Sequence, residues 1–181
     1  KRFVRAKIAF AMAAKNPSIR SGAPRARHVS LVALPDAVVS TLAGLYDVLN
    51  GATSMGVLSE APFDVQIVGE AAGPIGLASG VPMQVQRAVQ DVQASDIVIV
   101  PSVLLREGRW VTGRYPALLA WLARMHAQGA LLCSACSGIF LIAETGLFDG
   151  HDATVHFVYA KAFASVHPKV TVHPERVLVV S

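Results

Sequence analysis

Cys136 stands where an apolar run meets a helix. Leu131-Leu132-Cys133-Ser134-Ala135 reads as a strand, and Ser137-Gly138-Ile139-Phe140 opens a helix directly behind it. A thiol at such a bend can act as a nucleophile or as a contact for a bound ligand. The positive end of the helix favours the thiolate, and the N–H groups of Ser137 and Gly138 can donate to a carbonyl or anionic oxygen. His156 is the imidazole that could raise the thiolate content and relay protons. It could equally be a hydrogen-bonded core histidine packed under Phe157. Ser137 can offer its hydroxyl to a ligand or cap the helix.

Cys133 and Cys136 form C-x-x-C, the spacing of redox dithiols. With Cys133 inside a strand, three extended residues separate the two Cα atoms by roughly 10 Å. A disulfide needs less than about 7 Å, so Cys133 is expected to be core. The histidines at 28, 126, 151, 156, 167 and 173 give no i, i+4 pair beside a carboxylate on one predicted helix. No metal site and no cofactor is therefore expected. Glu144 falls in a helix apolar on most sides and is expected to be a paired structural acid.

The elements that must position these residues alternate. His28–Leu34 predicts a first strand, stopped by Pro35-Asp36, and Val38, Leu42, Leu45 and Leu49 then mark one helical face. Asp64–Glu70 predicts a second strand, Gly69–Gly80 a loop or short hairpin, and Gln84–Val92 a short helix. Asp96–Pro101 is a β-branched run suited to a central parallel strand buried on both faces. The Pro101-Ser102-Val103-Leu104-Leu105 segment behind it is expected to line the cleft. Arg106 and Arg109 are either carboxylate contacts or solvated loop charges. A helix with Leu118, Leu122 and Met125 on one face starts near Pro116 and ends at Gly129. Ala130–Ala135 is the strand that delivers the elbow. A helix over Phe157–Val166 and strands at Val170–Val172 and Val177–Val180 follow. This order predicts an α/β fold, a doubly wound, mostly parallel sheet with helices on both faces and its site at the C-terminal strand ends.

Length and composition fit one such domain: 181 residues, 53% apolar. No apolar run approaches the ~18 residues of a membrane span. Two cysteines suggest a reducing, cytoplasmic setting. The net charge of +4 averages two unlike parts. Residues 1–27 carry eight Lys/Arg and no acid, whereas the remaining 154 carry eight basic and twelve acidic side chains, a net of −4. A mildly acidic domain is a poor nucleic-acid surface. Residues 1–27 read as a basic, mobile leader. Lys1–Ala14 also has the features of a short signal peptide or of a basic amphipathic helix. Met12 is a candidate natural start. Residues 28–181 read as the domain, expected to be cut short because its last apolar run stops at Ser181 without a closing helix.

Residues 135–150, Ala-Cys-Ser-Gly-Ile-Phe-Leu-Ile-Ala-Glu-Thr-Gly-Leu-Phe-Asp-Gly, followed by Ala153-Thr154-Val155-His156-Phe157, resemble the cysteine-elbow segment of the ThiJ/PfpI superfamily. These proteins have a flavodoxin-like, class I glutamine amidotransferase-like sandwich. The resemblance is closest to the amino-terminal domain of GlxA-type regulators of the AraC family. Val32-Ala33-Leu34-Pro35 with Leu42–Leu49, and the His173–Val180 tail, are similar to the same group. The resemblance implies a ligand-sensing, dimerising domain that binds a small polar metabolite through Thr41, Cys136, Ser137, Gly138 and His156. It implies a homodimer, no membrane partner, and DNA contact only through a carboxy-terminal helix-turn-helix region beyond this chain. The alternative it implies is a cysteine-dependent enzyme, an isonitrile hydratase or glyoxal-type hydrolase, with Cys136 and His156 catalytic. Enzymes of the superfamily keep an acid on the first helix, at the position that here matches Thr41. Threonine is no general acid or base near neutral pH. Asp47, six residues on and about 240° around the helix, does not replace it.

Overall fold

The β-branched runs form the middle of a sheet because only there are both of their faces covered. A computed structural model describes residues 10–13, 25–57 and 62–181. Its strands are β1 (Phe10–Ala13), β2 (Arg27–Val32), β3 (Phe63–Gly69), β4 (Gly73–Gly76), β5 (Pro82–Val85), β6 (Arg87–Ala88), β7 (Ile97–Val100), β8 (Leu131–Ala135), β9 (Asp152–Ala153), β10 (Thr171–Val172) and β11 (Leu178–Val180). Its helices are α1 (Val39–Ser54), α2 (Pro116–Ala127), α3 (Ile139–Ala143) and α4 (Ala160–Val166). Among the described residues, seven strands make the main sheet in the order β11-β1-β8-β7-β2-β3-β6. The pairs β2/β3, β2/β7, β3/β6 and β7/β8 are parallel, with Leu31 opposite Ile99 and Ile99 opposite Cys133. Val29, Leu31, Val98, Val100 and Leu132 are fully buried, as expected of central strands between helices.

The chain runs from β2 outward to β3 and β6, then returns to the other side of β2 for β7 and β8. The order therefore reverses between β2 and β7, and the crevice at their C-terminal ends is the switch point at which such sheets bind ligands. α1 follows β2, and α2 connects β7 to β8. α2 buries Leu118, Trp121, Leu122 and Met125. It stops as predicted at Gly129, whose φ of +97° suits a residue without Cβ.

Two expectations are corrected. The helix predicted over Gln84–Val92 is instead the end of the β4/β5 hairpin, the short strand β6 and a 3-10 turn over Val89–Asp91. The open edge of β3 captures this segment: the Gln86 N–H donates to the Ile67 carbonyl at 2.8 Å, and the Ile67 N–H donates to the Gln86 side chain at 2.7 Å. Unpaired edge groups outweigh weak local helix propensity. Residues 10–13 were expected in a mobile leader, but they pair antiparallel with β8 and parallel with β11. This short apolar stretch satisfies the edge that β8 would otherwise expose. Residues 1–9 and 14–24 of the predicted leader lie outside the described residues, whereas its last residues are ordered into the domain, Arg25 pairing with Asp96 at 3.3 Å and Arg27 opening β2. No helix among the described residues is long and apolar enough to cross a membrane.

Candidate functional site at the cysteine elbow

Strand β8 ends in a bend so sharp that Cys136 adopts φ +51°. This left-handed conformation costs a side-chain-bearing residue about 1–2 kcal/mol, so the surroundings must impose it. The next two residues show how. Gly138 lies against the end of β7 so closely that a Cβ there would stand 2.4 Å from the Pro101 carbonyl oxygen and 2.5 Å from that of Val100. Only glycine lets the two backbones approach in this way. Ser137 is buried, and its hydroxyl donates to the Val103 carbonyl at 2.6 Å and accepts from the Val103 N–H at 2.9 Å. It therefore neither caps the helix nor stands free for a ligand, the two roles the sequence offered. A 3-10 turn over Cys136–Gly138 leads into α3, whose residues are all buried.

The two thiols differ as their positions demand. Cys133 is buried in β8, and burial pushes its thiol up to about 12, which makes it inert near neutral pH. Cys136 is partly exposed at the strand end, and both cysteines are free.

The clamp at Val103 is one link in a backbone network that runs across the C-terminal ends of β2, β7 and β8. Ala37 pairs antiparallel with Val103, the Val38 N–H donates to the Ser102 carbonyl at 2.8 Å, and the Leu104 N–H donates to the Asp36 carbonyl at 2.8 Å. The loop after β2, the loop after β7 and the elbow after β8 are thereby stitched edge to edge. Thr41 sits in the first turn of α1, partly buried, with its N–H donating to the Val38 carbonyl at 3.1 Å. The stitched loops thus hold Thr41 at the elbow's end of the sheet.

Inside this network lies a residue the sequence reading passed over. Asp36 is 3% exposed at its side chain, and its carboxylate accepts from the Arg114 guanidinium and from the Tyr115 hydroxyl at 2.9 Å. Arg106 approaches the other carboxylate oxygen at 3.7 Å. Burial, then the bond to Asp36, pushes the Tyr115 hydroxyl up to about 12, so it remains a donor. The signal in the sequence was a lone acid immediately after the first strand and an arginine-rich loop with few acids. Of the two arginines the sequence offered as carboxylate contacts, Arg106 joins Asp36. Arg109 pairs instead with Glu107 at 2.9 Å on the surface.

Glu144 is the paired structural acid expected of it. It accepts from the Trp110 indole N–H, and from the Gly113 N–H at 2.9 Å, so α3 anchors the loop before α2. The Trp110 ring packs on Phe140 of α3 with centroids 5.9 Å apart. The contacts of His156 lie within its own segment: Nδ1 accepts from the Val158 N–H at 3.3 Å, and the ring stacks on Phe157 at 4.4 Å. Among the described residues no hydrogen bond joins it to Cys136. Asp47 is exposed on α1 and lines a separate hollow with Tyr46 and Met83.

Similarity to known proteins agrees with this geometry. Over 103 residues, 57% of this chain, the sequence is 30% identical to the HTH-type transcriptional regulator CdhR of Pseudomonas aeruginosa, a match that takes in 30% of the regulator's own length. The fold is shared with an AraC family transcriptional regulator from Pseudomonas putida, with a TM-score of 0.64 and 16% identity over 86% of this chain and 83% of that one. It is shared equally with Drosophila melanogaster DJ-1beta, with a TM-score of 0.68 and 16% identity over 87% of this chain and 82% of that one. The DJ-1/PfpI family profile matches residues 38–179, from the residue before α1 into β11. A match over most of the chain, with the elbow inside it, means that the protein belongs to the DJ-1/PfpI family.

Proposed function

We propose that residues 28–181, together with the β1 strand and Arg27 that complete their sheet, form the ligand-sensing and dimerising domain of a cytoplasmic transcriptional regulator of the GlxA type. A small polar metabolite is held over the elbow by Cys136, the N–H groups of Ser137 and Gly138, His156 and Thr41. DNA contact belongs to a helix-turn-helix region outside this chain. The observation that carries this reading is what stands in place of the acid that enzymes of the superfamily keep on the first helix. Thr41 stands where enzymes of the superfamily keep an acid, and the buried carboxylate at that end of the sheet, Asp36, is occupied by Arg114, Tyr115 and Arg106. Without that acid the thiol lacks the superfamily's usual proton partner, and an enzyme would have to rely on His156 alone.

The strained backbone of Cys136 supports a second reading, a cysteine-dependent hydratase or hydrolase, because strain of this kind gathers at reacting residues. One experiment separates the two. Wild type and Cys136→Ala are screened against small polar metabolites by thermal shift and against isonitriles and 2-oxoaldehydes for turnover. The sensing reading expects a ligand that raises Tm by about 5–10 °C at roughly 100 times its Kd, weakened by the substitution. It expects equal background rates in the two proteins. Turnover that disappears in Cys136→Ala would overturn it in favour of the enzyme.

A further inference from the structure

We propose that Arg106 and Arg114, gathered on Asp36, form a carboxylate-binding subsite beside the elbow, so that the ligand is a small organic anion. This rests on reading the elbow as a ligand site. Two guanidinium groups meet one buried carboxylate directly, while Glu107 is paired with Arg109 and Glu70 acts on the cluster through its field at the Tyr115 hydroxyl. Arg114 is 31% exposed at its side chain and Arg106 75% exposed, while Asp36 is 3% exposed. The acid is the buried organiser, and the two cations reach the surface.

Arg114 has five N–H donors in a rigid fork. Nη1 is committed to Asp36, and the guanidinium lies over the Tyr115 ring, 5.1 Å from its centroid, which fixes its plane. Its remaining N–H groups are available to a planar two-oxygen acceptor, and a fork matches a carboxylate better than a point charge does. The subsite is tied to the elbow through the stitched loops, from Asp36–Val38 to Ser102–Leu104 and from Val103 to Ser137. These are two strand-like steps, about 10 Å, which a short metabolite and an arginine side chain span together. The same loop also walls a hollow lined by Ala33, Leu34, Pro35, Glu70, Pro74 and Ile75. The one charge there is Glu70, which repels a carboxylate and leaves the arginine side as the anion's place.

The test uses the whole chain with acetate, succinate and 4-hydroxybutyrate, each compared with its neutral amide. Binding is read by calorimetry, and occupancy of the elbow by the rate of Cys136 alkylation with iodoacetamide. At least one acid should bind about tenfold tighter than its amide and slow alkylation. Arg106→Gln, at an exposed position, and Arg114→Lys should each weaken that acid about five- to tenfold, with Arg106→Gln leaving Tm unchanged. Amides that bind and protect as well as the acids would overturn the subsite while leaving the elbow reading intact. Acids that bind through the arginines without protecting Cys136 would support the subsite and overturn the elbow reading. If no acid binds, the subsite is overturned.

Discussion

The Ser137 hydroxyl and the Val103 backbone exchange two hydrogen bonds, at 2.6 and 2.9 Å, in the manner of one rung of a strand pair. Because Val103 also pairs with Ala37, a single side chain ties the elbow of β8 to the loop after β2, across the end of β7. Removing it leaves a buried N–H and a buried C=O of Val103 without their partner. Ser137→Ala should therefore lower stability by about 1–3 kcal/mol. A urea titration would show this as a lower midpoint with an unchanged slope. An unchanged midpoint would mean that the clamp contributes nothing net.

Gly138 admits less tolerance. The atoms a new Cβ would meet, at 2.4 and 2.5 Å, are backbone carbonyl oxygens of β7 and the residue after it, which cannot swing aside as a side chain can. Gly138→Ala must push the elbow off β7 or distort the central strand. The expected cost is more than about 4 kcal/mol, in the range reserved for severe steric faults. Soluble yield and urea midpoint would report it, and a variant within about 1 kcal/mol of wild type would show that the elbow can shift freely.

The two thiols should separate cleanly in a labelling experiment. Cys133 is buried and its thiol is pushed up to about 12, whereas Cys136 is partly exposed at the strand end. With a thiol reagent at pH 7.5 to 8, native protein should label at Cys136 and leave Cys133 untouched until denaturant is added. Peptide mass spectrometry assigns the sites. Oxidation should produce no bond between them, since Cys133 is buried inside the extended strand β8 and Cys136 lies three residues on, past the strand end. Equal labelling rates in the native state would contradict the burial.

How much of this was legible follows from the range of each interaction. The central strands announced themselves because burial on both faces demands continuous apolar runs, as in Ile97–Val100. The elbow showed because strand, thiol and helix start are contiguous. β6 was misread because its structure is decided by the open edge of β3, not by its own residues. Asp36 was invisible as a site because Arg114 lies 78 residues away and Tyr115 79, and no local spacing encodes such a meeting. The role of Ser137 was hidden likewise, its partner Val103 being 34 residues upstream. Thr41 could be singled out only by comparison with a pattern that has an acid there.

His167 gives the fold a dependence on pH whose direction is fixed by its surroundings. The ring lies 5.1 Å from Phe163 and 6.2 Å from Phe140, centroid to centroid, and its Nε2 is buried without a hydrogen-bond partner among the described residues. Burial lowers its pKa below the ordinary 6.5, against a weaker opposite pull from Glu144 and Asp149. The unfolded chain therefore takes up a proton at a higher pH than the folded one. Stability from this group is complete above about pH 6.5 and is lost as the pH falls below it, at no more than about 1.4 kcal/mol per pH unit. Carboxylates whose pKa values are lowered by folding, such as Glu175, act only at lower pH, and the other five histidines are common to both proteins compared, so the difference between the two curves from pH 7.5 to 5.5 reports His167. Urea midpoints for wild type should fall across that interval. His167→Phe, which keeps the aromatic packing and cannot be protonated, should flatten the fall, and parallel curves for the two proteins would show that this ring is not what the acid attacks.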